Sequence, residues 1–117
     1  MKPFITGTSA YGPFTDDSDI DIVMVYYDAE RFKQDLITAG IEIKEPDKEI
    51  NLNYIGFTFD VAGRPFQVIC VKPENEYYSW LYATNEMRNN LEFKNRDERI
   101  KIFKELKKEY EYYDKLY

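Results

Sequence analysis

The sequence predicts an α/β (α+β) chain, with a short, mixed, twisted sheet flanked by helices. Three observations carry that prediction. Ser18-Asp19-Ile20-Asp21-Ile22-Val23-Met24-Val25-Tyr26 begins as polar/apolar alternation and becomes continuously apolar, so its second half belongs to a strand covered on both faces. From Asn53 to Val71 the chain is rich in Tyr, Phe, Val and Ile on both sides of Gly63, as in a hairpin. Beyond Pro73 the apolar residues recur at helical spacing.

Each element follows from local chemistry. Phe4, Ile5 and Thr6 form a short run that stops at Gly7, where the missing Cβ permits a turn. Ala10-Tyr11 can continue as one helical turn, which Gly12-Pro13 ends. In the strand from Ser18 to Tyr26, period two sends Asp19 and Asp21 to one face and Ile20 and Ile22 to the other. Asp28 is placed to cap a helix starting at Ala29, with Phe32, Leu36 and Ile37 at helical spacing and Gly40 as its stop. Ile41 to Lys44 alternates, as a strand or an extended connector, and Glu45 to Glu49 reads as a loop around Pro46.

The hairpin runs from Asn53 to Asp60, turns through Val61-Ala62-Gly63-Arg64, and returns through Pro65 to Val71. The following helix carries Tyr77, Trp80, Leu81, Thr84 and Met87 on one face. Core packing is the plain explanation of that stripe, and a base-stacking platform using Tyr78 or Tyr82 is the alternative. Asn89-Asn90 weakens the helix. A last helix spans Arg96 to about Tyr113, with Ile100, Phe103, Leu106, Tyr110 and Tyr113 as its stripe. Asp97 and Glu98 suit the positive end of its dipole. Lys101, Lys104, Lys107 and Lys108 form a basic strip, read as solvated surface paired with Glu105 and Glu109, with a grip on phosphate or RNA as the secondary reading.

Composition narrows the function classes. The 117 residues suffice for a single domain, 1–117, with a modest core. A hydrophobic share of 44% with 32% charged residues fits a folded chain rather than a disordered one. Eleven Tyr and eight Phe supply core and, at Tyr110 to Tyr113, a surface suited to homo-oligomer formation. A net charge of −6 argues against broad DNA binding. The absence of histidine removes His-based acid/base chemistry, Ser-His-Asp triads and histidine metal sites. Cys70 is the only cysteine, sits in an apolar run, and reads as a small core residue. No apolar signal segment follows Met1 and no run approaches a membrane span, so the expected setting is cytoplasmic, with no membrane partner.

The chemistry-bearing residues lie between Gly7 and Asp21. Two carboxylates side by side on one strand face repel each other unless a positive charge lies between them. A divalent cation, Mg2+ or Mn2+, is the simplest answer, because hard cations take carboxylate oxygens. Gly7 followed by the hydroxyls of Thr8 and Ser9 at a helix start suits phosphate, since N–H groups there are unpaired and point outward. Phosphate cradle and paired carboxylates together suggest a nucleoside triphosphate held with magnesium. The bland alternative is a solvated loop leading into a strand with two edge aspartates.

Gly7-Thr8-Ser9-Ala10-Tyr11-Gly12, a spacer, then Ser18-Asp19-Ile20-Asp21 resembles the signature of the DNA-polymerase-β-like nucleotidyltransferase superfamily, nearest to its small stand-alone members found in phages and as antitoxins. The family usually has serine directly after the glycine; Thr8 keeps the hydroxyl. The resemblance implies a nucleotidyltransferase-like fold that binds ATP or another nucleoside triphosphate and transfers a nucleoside monophosphate to a protein or RNA hydroxyl. It implies Asp19 and Asp21 as catalytic metal ligands, and Gly7, Thr8, Ser9 and Ser18 as nucleotide-binding residues. A third carboxylate is expected after the hairpin turn, and the matching position holds Gln67, flanked by Phe66 and Val68. Asp60 is the nearest acidic substitute but precedes the turn. Gln67 leaves open a catalytically degenerate member that binds a nucleotide or a protein without chemistry.

Overall fold

The computed structural model describes residues 1–7, 10, 19–45, 55–89 and 96–116. Its elements are β1 (Phe4–Thr6), β2 (Ile20–Val25), α1 (Tyr26–Thr38), β3 (Ile55–Val61), β4 (Arg64–Val71), α2 (Asn75–Asn89) and α3 (Arg96–Leu116). The strands form one mixed sheet in the order β1-β2-β4-β3. β1 and β3 are antiparallel to their neighbours, and β2 and β4 are parallel. The α/β architecture expected from sequence is therefore the observed one.

The sheet is covered on both faces, as the apolar run in β2 requires. Met24, Val68, Phe57 and Phe59 point to one face, where Ala29, Phe32 and Leu36 of α1 pack on them. Phe59 and Phe66 stack across the hairpin with ring centres 5.0 Å apart. Val23, Val25, Ile69 and Val71 point to the other face and meet Tyr77, Trp80 and Leu81 of α2. α3 packs on the outside of α2 through Trp80 and Phe103, 5.0 Å apart, and Tyr82 and Tyr110, 5.7 Å apart.

Several local expectations change. β2 passes directly into α1, so the N-cap is Val25, without a side-chain bond, and Asp28 is no cap. It lies in the first helical turn, where its charge meets the positive end of the dipole. Tyr26 accordingly belongs to the helix rather than to the strand. Gly40 does end α1: at φ +82° it donates to Ile37 O, while Ile41 donates to Leu36 O, both at 3.0 Å. Ile41 to Lys44 is a connector that joins the sheet through a single bridge, Lys44 to Thr58.

Ile37 and Ile100 are exposed rather than part of a core. Tyr82 is engaged by Tyr110 of α3, while Tyr78 is exposed. Lys107 lies 4.3 Å from the Trp80 ring centre, so one member of the basic strip is a cation–π partner rather than solvated surface. The hairpin turn uses Ala62 and Gly63 at φ +51° and +77°, the pair of positive values that a tight two-residue turn demands.

Candidate functional site

β1 and β4 flank β2, and their registers decide what meets Asp21. Thr6 is its partner on β1 and Gln67 its partner on β4. Directly opposed residues share a face, so Thr6, Asp21 and Gln67 line one side of the sheet at the start of β2. Asp19 precedes β2 by one residue, and Gln67 Nε2 donates to Asp19 Oδ2 at 3.1 Å. The structure thus gathers Asp19, Asp21 and Gln67 into one group. Asp60 is remote from it: β4 intervenes, and Lys44 Nζ holds Asp60 Oδ2 at 2.9 Å at the far edge of the sheet.

Gly7 closes the group from the β1 side. Its φ of +69° lies in the left-handed region, and a Cβ there would overlap Asp21 Oδ2. Two separate reasons therefore require glycine, one conformational and one steric. The Asp21 carboxylate lies against the bare backbone of the turn, and Ala10 N–H donates to Gly7 O at 3.0 Å to hold that turn.

The electrostatics of Asp21 are unusual for a strand residue. Its Oδ1 is buried and finds no hydrogen-bond partner among the described residues. Burial, and secondarily the charge of Asp19, push its carboxyl from 3.8 up to about 6. An orphaned buried acceptor costs about 1–3 kcal/mol. A proton below pH 6, or a cation above it, relieves that cost. Two carboxylates and an amide oxygen form a hard-oxygen donor set that fits Mg2+ or Mn2+. Among the described residues no third acidic, histidine or cysteine side chain joins them.

Thr6 and Thr84 were not foreseen as neighbours of this group. Thr6 is 2% exposed, and its Oγ1 lies 2.7 Å from Thr84 Oγ1, while Thr84 also donates to Trp80 O at 2.8 Å. The bond ties the end of β1, just before Gly7, to α2. The available sequence signal was one hydroxyl residue inside each of two otherwise apolar patterns. Thr8, Ser9 and Ser18, expected to bind the nucleotide, lie outside the described residues.

No helix among the described residues is long and apolar enough to cross a membrane. Comparison with protein-family models, curated proteins and solved structures returned no match.

Proposed function

We propose that this chain is a minimal metal-dependent nucleotidyltransferase, moving a nucleoside monophosphate from a nucleoside triphosphate to a protein or RNA hydroxyl. The observation that carries the proposal is the Asp21 carboxylate: half-desolvated, one oxygen orphaned, beside Asp19, against a glycine whose Cβ would fill the space. Such a group is poorly accommodated alone and well accommodated by a cation. Asp19 and Asp21 would hold the ion, with Gln67 at the third position. A divalent ion held there would neutralise phosphate charge and make an attacking hydroxyl more acidic. Gly7, with Thr8, Ser9 and Ser18, would hold the phosphates through backbone N–H groups and hydroxyls. Ionisation of Asp21 above about pH 6 makes it a ligand at neutral pH.

The Gln67–Asp19 hydrogen bond favours a second function for the same site, a nucleotide- or protein-binding module that performs no transfer. A neutral amide cannot accept the acceptor's proton, and it brings less charge to a metal than a carboxylate. Calorimetric titration with Mg2+ and each triphosphate, followed by a transfer assay with label on the α-phosphate, separates the two. Metal-dependent binding that Asp19→Asn and Asp21→Asn abolish supports the shared site. Labelled product identifies a transferase, and binding without product identifies the module. No metal-dependent binding at all refutes both.

A further inference from the structure

The open edge of the sheet carries a groove of about 310 Å3, within the range of small-ligand sites. Phe4 and Ile5 of β1 form one wall, and Leu81, Thr84, Asn85 and Arg88 of α2 form the other, with Ala10 also on the lining. β1 and α2 run in the same direction, because Phe4 packs on Tyr77 and Thr6 bonds Thr84. Arg88, one turn beyond Thr84, therefore lies at the end of the groove that Ala10 and the Gly7 turn also mark.

The groove is polarised along its length. Its β1-start end is apolar, from Phe4, Ile5 and Leu81. Its Gly7 end carries Thr84, Asn85 and Arg88. Arg88 is exposed, and among the described residues it forms no ion pair and is the one charged side chain on the lining. A cation of this kind on a chain of net charge −6 is complementary to an anion, and the apolar end to a flat uncharged group.

Across the sheet the sequence of features is groove, Gly7 turn, Asp21, Gln67. Of the two reactants in a transfer reaction, the one held by the glycine turn is thus the neighbour of the groove, and the acceptor would approach from the Gln67 side. Building on the function proposed above, we infer that this groove binds the nucleoside half of the triphosphate. Arg88 contacts a phosphate, the exposed Asn85 faces the sugar hydroxyls, and the base lies between Phe4, Ile5 and Leu81. Among the described residues that trough presents no polar side chain to a base edge, so they distinguish bases weakly.

Calorimetry on the full chain in Mg2+ tests this with two probes, ATP and inorganic triphosphate. ATP should bind about tenfold more tightly than inorganic triphosphate, the difference that burying one or two contact groups produces. Ile5→Glu, at an exposed edge position that tolerates the change, should abolish that advantage. Arg88→Gln should weaken both probes about tenfold, as expected for losing one charged hydrogen bond. The four common triphosphates should bind within about tenfold of one another.

Equal affinity for ATP and inorganic triphosphate, or ATP binding unchanged in both variants, overturns the groove, as does a preference of about a hundredfold for one base. The proposed function survives those results if ATP binding still needs Mg2+ and Asp19. Conversely, ATP binding that depends on Ile5 and Arg88 but not on Mg2+ or Asp19 leaves the groove standing and removes the transferase. Circular dichroism on each variant confirms that the fold is kept.

Discussion

Replacing Asp21 by Asn should make the metal-free protein more stable at neutral pH, and the size of the effect follows from its surroundings. The carboxyl titrates near 6 in the folded chain instead of 3.8, chiefly because burial penalises its charged form. The folded state therefore binds this proton more tightly than the unfolded state does. Stability contributed by the neutral form is present below about pH 4 and is lost as pH rises through about 6. At about 1.4 kcal/mol per pH unit, the displacement amounts to roughly 3 kcal/mol, and solvent around a half-buried group reduces it to about 1–3 kcal/mol. Asn keeps the shape and removes the charge.

Urea denaturation in EDTA at pH 4.5 and 7.5, for wild type and Asp21→Asn, measures this directly. The wild type should lose stability between the two pH values relative to the variant, and the variant should be the more stable at pH 7.5. Adding Mg2+ at pH 7.5 should stabilise the wild type and not the variant. Parallel pH profiles for the two proteins would refute the argument, because they would mean that Asp21 ionises without cost and that its orphaned oxygen is solvated.

The remaining predictions concern the turns and the third position. Gly7→Ala should destabilise by about 2 kcal/mol or more, combining left-handed strain with overlap on Asp21, and Gly7→Ala/Asp21→Ala should recover part of that loss in a thermal melt. Ala62→Gly should stabilise, by about 0.5–1 kcal/mol, since Ala62 holds φ +51° in the hairpin turn; unchanged stability would show that the turn relaxes. Gln67→Asp should raise affinity for Mn2+ in calorimetry and raise any transfer rate, and no change in either would remove Gln67 from the site.

The sheet and its helices were legible because they rest on periodicity. Val23 to Val25 and Val68 to Val71 are short, consecutive apolar runs rich in β-branched residues, which suit a strand covered on both faces. Gly40 and Gly63 stop their elements for backbone reasons that act locally. The start of α1 was not legible, because Asp28 is an equally good residue for a cap and for a first turn, and the choice is made by how β2 delivers the chain. Lys107 over Trp80 and Lys44 on Asp60 depend on which elements become neighbours, which spacing within one helix or hairpin does not encode. In the site, the shared face of Asp19 and Asp21 follows from alternation. The closeness of Gln67 required the parallel β2–β4 register, and the groove beside β1 required the direction of α2.

Gln67 also bears on the charge carried by the acidic group. Asp19 and Asp21 already raise the cost of each other's charge, and Asp21 sits near 6 as a result of burial and of Asp19 together. A third carboxylate at the Gln67 register would face Asp21 directly across the parallel ladder and would lie within hydrogen-bond distance of Asp19. It would push Asp21 higher still and add a third like charge to the group, which a bound cation would relieve. The amide instead donates to Asp19 and anchors that carboxylate, leaving Asp21 ionised above about pH 6. The present trio is therefore better prepared to capture a cation than to retain a second one, because it has one orphaned oxygen and a net charge of two rather than three. Under the proposed function, such a site would bind a triphosphate with its metal more readily than it would activate an acceptor hydroxyl. Its transfer rate, where there is one, should be limited by that second step.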